Sequence, residues 1–131
     1  MKRVYRLRRP EQFRRARREG RTYTTPLLTL NVVAGRRRRT RCGFVVARQI
    51  GTAVRRNRAR RRLREAVRLA LPAIRPGFDL VFVARGPEVL SVSFPVLQQA
   101  VEQLLRRAQL WHEPAPPAVQ AALAPEDEAR P

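Results

Sequence analysis

Three segments of the chain have the residue pattern of β-strands. Residues 27–34 alternate, with one side apolar throughout. A second strand is predicted over residues 41–47, where Phe44 and Val46 share a face, and residues 35–39 would form a hairpin tip between these two strands. Residues 79–85 are apolar nearly throughout and are bounded by Pro-Gly and Gly-Pro, which predicts a central strand. The second side of the first strand is mixed and carries Leu27, Thr29, Asn31 and Val33.

Two helices are predicted, one before the three strands and one after them. Residues 10–19 begin with a proline and are followed by Gly20, the usual signals of a helix start and end. Phe13 lies on this short helix. A last helix is predicted from Ser93, and its helical spacing of apolar residues continues to Trp111.

A third, longer helix combines a narrow apolar stripe with a large excess of arginine. Thr52 can cap it and Pro72 ends it. Seven like charges on one helix destabilise it unless an anion neutralises them, so a solvated basic face is the less favoured interpretation. The predicted buried stripe is Ala59, Leu63, Ala66, Val67 and Ala70. The arc opposite the stripe carries Arg58, Arg61, Arg62, Arg64 and Arg68, with Glu65 as its one acid, while Arg56 and Arg60 flank the stripe.

The overall charge favours a polyanionic partner. The 131 residues carry a net charge of +19, and 44% of them are hydrophobic, enough for a folded core. Residues 113–131 contain four acids, one arginine and five prolines, so we expect a disordered acidic tail after a basic domain over residues 1–112. No apolar run approaches the ~18 residues of a membrane span, and no apolar stretch follows the basic start. We therefore expect a cytoplasmic protein that binds nucleic acid.

The residues give little support to an enzyme with its own active site. Before the tail the acids are widely spaced in sequence, and the chain has one histidine, His112, and one cysteine, Cys42. These residues predict no metal centre and no Cys–His pair. The chain has neither a GxxxxGK[ST] loop nor GxGxxG, so we expect no dinucleotide cofactor. Cys42 is expected to be a small core residue.

The arginine-rich helix also carries a family resemblance. Arg56-Asn57-Arg58, followed by Arg60-Arg61 and Arg64, resembles the RNR signature, roughly RNRxKRxxR, of the bacterial ribonuclease P protein component. The similarity covers about residues 6–110, including RLRRPEQFRRARREG, RCGFVVARQIGTAV and FDLVFVAR. Arg17 departs from the family, since a second aromatic often follows Phe13 at this position.

The resemblance implies both a fold and a function. The fold is α+β, an α/β sandwich with a mixed, about four-stranded sheet and three helices, similar to domain 2 of ribosomal protein S5. Its βαβ crossover is expected to be left-handed, whereas general topology rules favour a right-handed one. The implied function is that of the protein subunit of an endoribonuclease that removes the 5′ leader from precursor tRNA. Catalysis belongs to the RNA subunit, with Mg²⁺ bound mainly by RNA.

The resemblance also assigns candidate residues to two RNA partners. Phe13 has a second interpretation as a core residue. The alternative function is that of a ribosomal or architectural RNA-binding protein, or more weakly of a DNA-compacting protein. The expected contacts to the RNA subunit are Arg48, Arg56, Asn57, Arg58, Arg60, Arg61, Arg64 and Arg68. The expected contacts to the leader are Phe13, Arg17, Thr29 and Asn31.

Overall fold

The computed structural model describes residues 5–35 and 38–113. The predicted hairpin tip lies partly outside these residues, and the predicted tail lies outside them from residue 114 onward. Two 3₁₀ turns, Arg48–Ile50 and Leu71–Ala73, flank the second helix. In chain order the remaining elements are α1 Pro10–Glu19, β1 Arg21–Thr24, β2 Leu28–Ala34, β3 Arg41–Val46, α2 Ala53–Ala70, β4 Phe78–Ala84, α3 Glu88–Ser91 and α4 Phe94–Arg107.

The four strands form one mixed sheet in the order β1-β2-β4-β3. β4 is antiparallel to β2 and parallel to β3, and α2 provides the crossover between β3 and β4. This arrangement confirms the mixed four-stranded sheet, the three long helices and the central position of the third predicted strand. The hand of the crossover stays a prediction.

The predicted hairpin between the first two strands is wrong. β4 lies between β2 and β3, with Phe82 paired to Leu30 on one side and to Phe44 on the other. A strand that is apolar on both faces is most stable in the middle of the sheet, and this preference outweighs the short connection after Gly35. The actual hairpin joins β2 to β1, a four-residue strand that the sequence pattern missed because its residues are mostly exposed.

The main core lies between the sheet and the pair α2 and α4. The predicted stripe of α2 is buried in full, and Phe82 and Cys42 are buried as expected. The last helix ends at Arg107, so its predicted extension to Trp111 is wrong. Gln109 adopts a left-handed conformation with φ 61°, and the N–H of Leu110 donates to the carbonyl of Leu105, which closes the helix end.

A second, smaller core lies on the opposite face of the sheet, beneath α1. Ala16, Leu7, Val33 and Val81 form it, with Phe13 and Val83 packed at its border. Gly20 allows the close approach of α1 to β2, because a Cβ at this position would overlap the carbonyl oxygens of Ala16 and Val32. α1 therefore lies directly on the sheet and defines one wall of the cleft described below.

Candidate nucleic-acid interface

The row Arg56, Arg60 and Arg64 lies on the flank of α2 that faces the β3 edge of the sheet. We call these three residues the basic flank. Their spacing of four residues places one guanidinium on each turn. The Nε atoms of Arg56 and Arg64 are buried without a hydrogen-bond partner in the described part of the chain, and no described carboxylate forms an ion pair with any of the three. The basic flank therefore presents concentrated positive charge that no carboxylate of the described residues neutralises.

The sheet and Asn57 position two members of the basic flank. The guanidinium carbon of Arg64 lies 5.9 Å from the centroid of the Phe44 ring, a cation–π distance. Burial, followed by the charges of Arg6 and Arg60, lowers the pKa of Arg64. The Nη1 of Arg60 donates to the Oδ1 of Asn57 at 2.9 Å. These contacts hold the guanidiniums in place before any ligand arrives.

Two other arginines of α2 are engaged with the protein itself. Arg62 donates to the carbonyl of Leu90 at 2.8 Å and to that of Val92 at 2.6 Å. Arg68 forms a salt bridge with Glu65 at 2.6 Å, and this contact raises the pKa of Arg68 and lowers that of Glu65. The sequence pattern placed Arg62 and Arg64 on the arc of α2 opposite the buried stripe. This prediction is wrong, since both side chains are partly buried against neighbouring elements.

The remaining candidates of the α2 region are exposed. Arg58 and Arg61 point away from the core and form no ion pair with a described residue. Arg48 is exposed in the 3₁₀ turn that joins β3 to α2, so it lies beside the amino-terminal end of that helix. These three arginines extend the positive surface that begins at the basic flank.

On the face of the sheet opposite the main core, α1 covers only part of the strands. We define the α1 cleft by Phe13 and Arg17 on the helix and by Thr29, Val45 and Val83 on the strands. Phe13 is half-buried and packs so closely on Gly43 that a Cβ there would overlap its ring. The strand residues form one row, because Thr29 pairs with Val83 and Val83 with Val45. α1 leaves part of this row uncovered, since Val45 is 38% exposed.

The polar candidates of the α1 cleft differ in how far they are exposed. Arg17 is exposed, and helical spacing puts it on the same flank of α1 as Phe13. Asn31 is half-buried, and its Oδ1 accepts a hydrogen bond from the hydroxyl of Thr22 at 2.8 Å. Thr29 is buried, with 9% of its surface exposed. The cleft thus combines an aromatic edge, an apolar floor and polar groups along one side.

Alternation places Leu27 and Val33 on the same side of the first predicted strand as Thr29 and Asn31, but these two residues do not reach the cleft. Val33 is buried under α1 against Ala16 and Val81, and Leu27 precedes β2 and packs against the main core. Val45 and Val83, which form the floor, were not predicted from the sequence. Gly43 is the signal that could have located this floor, because a glycine inside a strand indicates a close approach by another element.

The described part of the chain holds neither a metal cluster nor a membrane helix. Within residues 5–35 and 38–113, no three His, Cys, Asp or Glu side chains are grouped to hold a metal ion. Over the same residues, no helix has both the length and the apolar character required to cross a bilayer. Burial, followed by the charge of Asp79, raises the pKa of the buried Cys42 thiol to about 12, so this thiol is not an activated nucleophile.

Comparison with known proteins gives the family to which this fold and surface belong. A family model described as "Ribonuclease P" matches residues 1–109. The chain belongs to the ribonuclease P protein family. The ribonuclease P protein component of Chloroflexus aurantiacus is 60% identical over 116 residues, covering 88% of this chain and 84% of that protein. The corresponding protein of Roseiflexus castenholzii is 57% identical over 108 residues, covering 82% and 88% respectively.

Solved structures agree with this family at the level of the fold. The ribonuclease P protein of Thermotoga maritima superposes with a TM-score of 0.71 at 30% identity, covering 78% of this chain and 96% of that one. The Staphylococcus aureus protein shares the fold, with a TM-score of 0.73 at 23% identity and coverage of 82% and 98%. As a family member, the chain is the protein subunit of a tRNA-processing endoribonuclease whose other component is RNA. This membership removes the ribosomal and DNA-compacting alternatives.

Proposed function

We propose that the basic flank of α2 binds the ribonuclease P RNA and that the α1 cleft holds the 5′ leader of precursor tRNA. We also propose that the protein acts in the cytoplasm. The observation that carries the first half is the row Arg56, Arg60 and Arg64, which has no acidic partner among the described residues and two buried Nε atoms without acceptors. Phosphate oxygens supply the missing acceptors. Guanidinium groups suit this role because their planar donors bind phosphate in pairs.

The dimensions of α2 support contact with an extended stretch of RNA backbone. The helix has 18 residues and is therefore about 27 Å long. Arg58 and Arg61 widen its charged surface, while Arg48 continues it toward the sheet. Asn57, whose Oδ1 already holds Arg60, keeps its amide N–H groups for the sugar or phosphate. Arg68 contributes less, because Glu65 neutralises it.

The α1 cleft suits a single-stranded leader that is held without strict sequence selection. The Phe13 ring gives a base a surface on which to stack, and the Arg17 guanidinium can stack on a neighbouring base. Val45 and Val83 provide an apolar floor, and Asn31 supplies polar groups at the side. Stacking on an aromatic ring tolerates every base, which fits leaders of different sequence.

The proposal places the catalytic Mg²⁺ ions on the RNA subunit. The described residues form no carboxylate cluster of the kind that binds Mg²⁺ through protein oxygens. The arginines of this chain instead neutralise phosphates, which lowers the repulsion between the RNA subunit and its RNA substrate. The protein thereby allows the two RNAs to approach at a lower Mg²⁺ concentration.

Reconstitution tests this function directly. The full chain is mixed with ribonuclease P RNA and precursor tRNA at low Mg²⁺, and leader removal is followed over time. We expect the wild-type chain to stimulate cleavage and the variant Arg56→Gln/Arg60→Gln/Arg64→Gln to lose most of that stimulation.

A charge-matched control separates specific contacts from net charge. Arg14, Arg18 and Arg106 are exposed arginines of α1 and α4 that already contact glutamates. Replacing all three by glutamine removes the same charge, and we expect this control to keep its stimulation. Equal loss in the control, or full activity of the first variant, would contradict the assignment of the basic flank.

A further inference from the structure

A groove of about 880 Å³ lies at the end of the sheet where β4 begins. β3 and β4 are parallel, so α2 starts at the far end of β3 and runs back to the start of β4. Arg56 therefore lies toward the opposite end of the sheet, about 21 Å of helix from Ala70. The groove opens on the α4 side of the sheet, whereas the α1 cleft lies on the other face. It is therefore separate from both surfaces described above. The residues that matter here are Arg21, Tyr23, Val32, Arg75, Phe78 and Gln109.

The charge of the groove is positive. Arg21 and Arg75 are exposed at its walls, and neither forms an ion pair with a described residue. Glu19 is the one carboxylate among the described residues that line the groove, and its oxygens already lie 3.2 Å from Arg15 and 3.6 Å from Arg18. The hydroxyl of Thr40 donates to the carbonyl of Arg75 at 3.1 Å, which brings the start of β3 to this wall.

The floor of the groove carries two aromatic rings. Tyr23 and Phe78 are partly buried on the same face of the sheet, with Val32 between them. Tyr23 pairs with Leu30 and Phe78 with Ala34, so their Cα atoms lie roughly 17 Å apart from strand geometry. This separation leaves room for one base on each ring. The volume falls within the usual range for small-ligand sites, roughly 300 to 1,000 Å³.

Gln109 adds a hydrogen-bonding group at the rim. It is exposed just after α4, where the chain turns in a left-handed conformation with φ 61°. Its amide can both donate to and accept from a base edge. Arginines without an ion-pair partner among the described residues, aromatic rings and an amide at the rim together match the chemistry of single-stranded RNA.

We propose that this groove is a third RNA-binding surface, beside the basic flank and the α1 cleft, and that it takes a single-stranded RNA segment. Its bases stack on Tyr23 and Phe78, and its phosphates contact Arg21 and Arg75. A duplex does not fit this chemistry, because its bases are already stacked on one another. The proposal does not rest on the function assigned to the basic flank, since the two surfaces share no residue. With the groove and the basic flank together, the chain contacts RNA at the two ends of one sheet.

Two variants test the groove in the full chain. Arg21→Gln/Arg75→Gln removes the phosphate contacts at exposed positions, and Tyr23→Leu removes the ring while keeping apolar bulk. Arg14→Gln/Arg106→Gln is the control of equal charge. For each protein we measure the affinity for ribonuclease P RNA, and then the affinity of that protein–RNA complex for decauridine and for precursor tRNA. Thermal unfolding is recorded in parallel.

We expect Tyr23→Leu to lose at least about fivefold in affinity, the lower end for one stacked base, while the control stays within twofold. Arg21→Gln/Arg75→Gln removes two phosphate contacts, and we expect its loss of affinity to exceed that of the control. A loss for ribonuclease P RNA assigns the groove to the RNA subunit. A loss confined to decauridine or precursor tRNA assigns it to another RNA strand. Affinities equal to those of the control in every arm would overturn the proposal.

Discussion

Replacing Arg62 by glutamine should destabilise the protein and leave the salt dependence of its RNA binding unchanged. Arg62 belongs to the arginine-rich helix, yet both of its terminal nitrogens donate to main-chain carbonyls, at 2.8 Å to Leu90 and at 2.6 Å to Val92. These carbonyls lie at the end of α3 and in the link to α4. Arg62 therefore fastens α2 to the segment that precedes α4.

The expected size of the effect follows from these two hydrogen bonds. A hydrogen bond to a charged group contributes about 1.5 to 3 kcal/mol when it is well shielded. The pair is partly buried, and glutamine keeps one donor of shorter reach, so we expect a loss of about 2 kcal/mol in the free energy of unfolding. For a domain of this size, that corresponds to a fall of roughly 10 °C in Tm.

Arg61 is the matched control, because it is the neighbouring arginine and is exposed. Urea unfolding gives the stability of Arg62→Gln and Arg61→Gln, and affinity for ribonuclease P RNA is measured against the logarithm of salt concentration. Arg61→Gln should keep its stability within about 0.5 kcal/mol and reduce the magnitude of the salt slope by about 0.7 to 0.9. If Arg62→Gln flattened the slope and left the urea midpoint unchanged, Arg62 would be an RNA contact and the reasoning would fail.

Four further outcomes are expected. Phe13→Leu should lower holoenzyme affinity for precursor tRNA by about 1 kcal/mol and spare mature tRNA, and an equal loss for both tRNAs would make Phe13 purely a core residue. Asp79→Asn should cost about 3 kcal/mol in urea unfolding, because Asp79 is buried and accepts two hydrogen bonds from Arg41; an unchanged midpoint would contradict this. Cys42, with its pKa raised to about 12 mainly by burial, should react with iodoacetamide at pH 8 only after unfolding, as mass spectrometry would show. Deleting residues 114–131 should change stability by less than about 1 kcal/mol and leave leader removal intact.

The sequence predicted those parts of the fold that depend on local periodicity. The stripe of α2 from Ala59 to Ala70 and the ends of α1 at Pro10 and Gly20 follow from spacing and capping signals that lie within a few residues. The position of a strand in the sheet depends instead on whether both of its faces are apolar, because such a strand is most stable between two others. This is why β4 lies between β2 and β3 and the predicted hairpin does not form.

The candidate site was predictable in composition but not in the role of each arginine. The resemblance identified α2 as the RNA-binding helix, and the excess of arginine supported it. Only the tertiary structure separates Arg62, which binds carbonyls, and Arg68, which binds Glu65, from Arg64, which lies over Phe44. Helical spacing gives the direction of a side chain and not what it meets there.

The salt dependence of binding to ribonuclease P RNA tests the central claim most directly. The affinities of the wild-type chain and of Arg56→Gln/Arg60→Gln/Arg64→Gln are measured across a range of monovalent salt at fixed Mg²⁺. The slope of log K against log salt is negative, and each lost phosphate contact reduces its magnitude by about 0.7 to 0.9, so three lost contacts should reduce that magnitude by about 2 to 3. A slope equal to that of the wild type, in a variant that folds normally, would assign the basic flank to solvent and contradict the account.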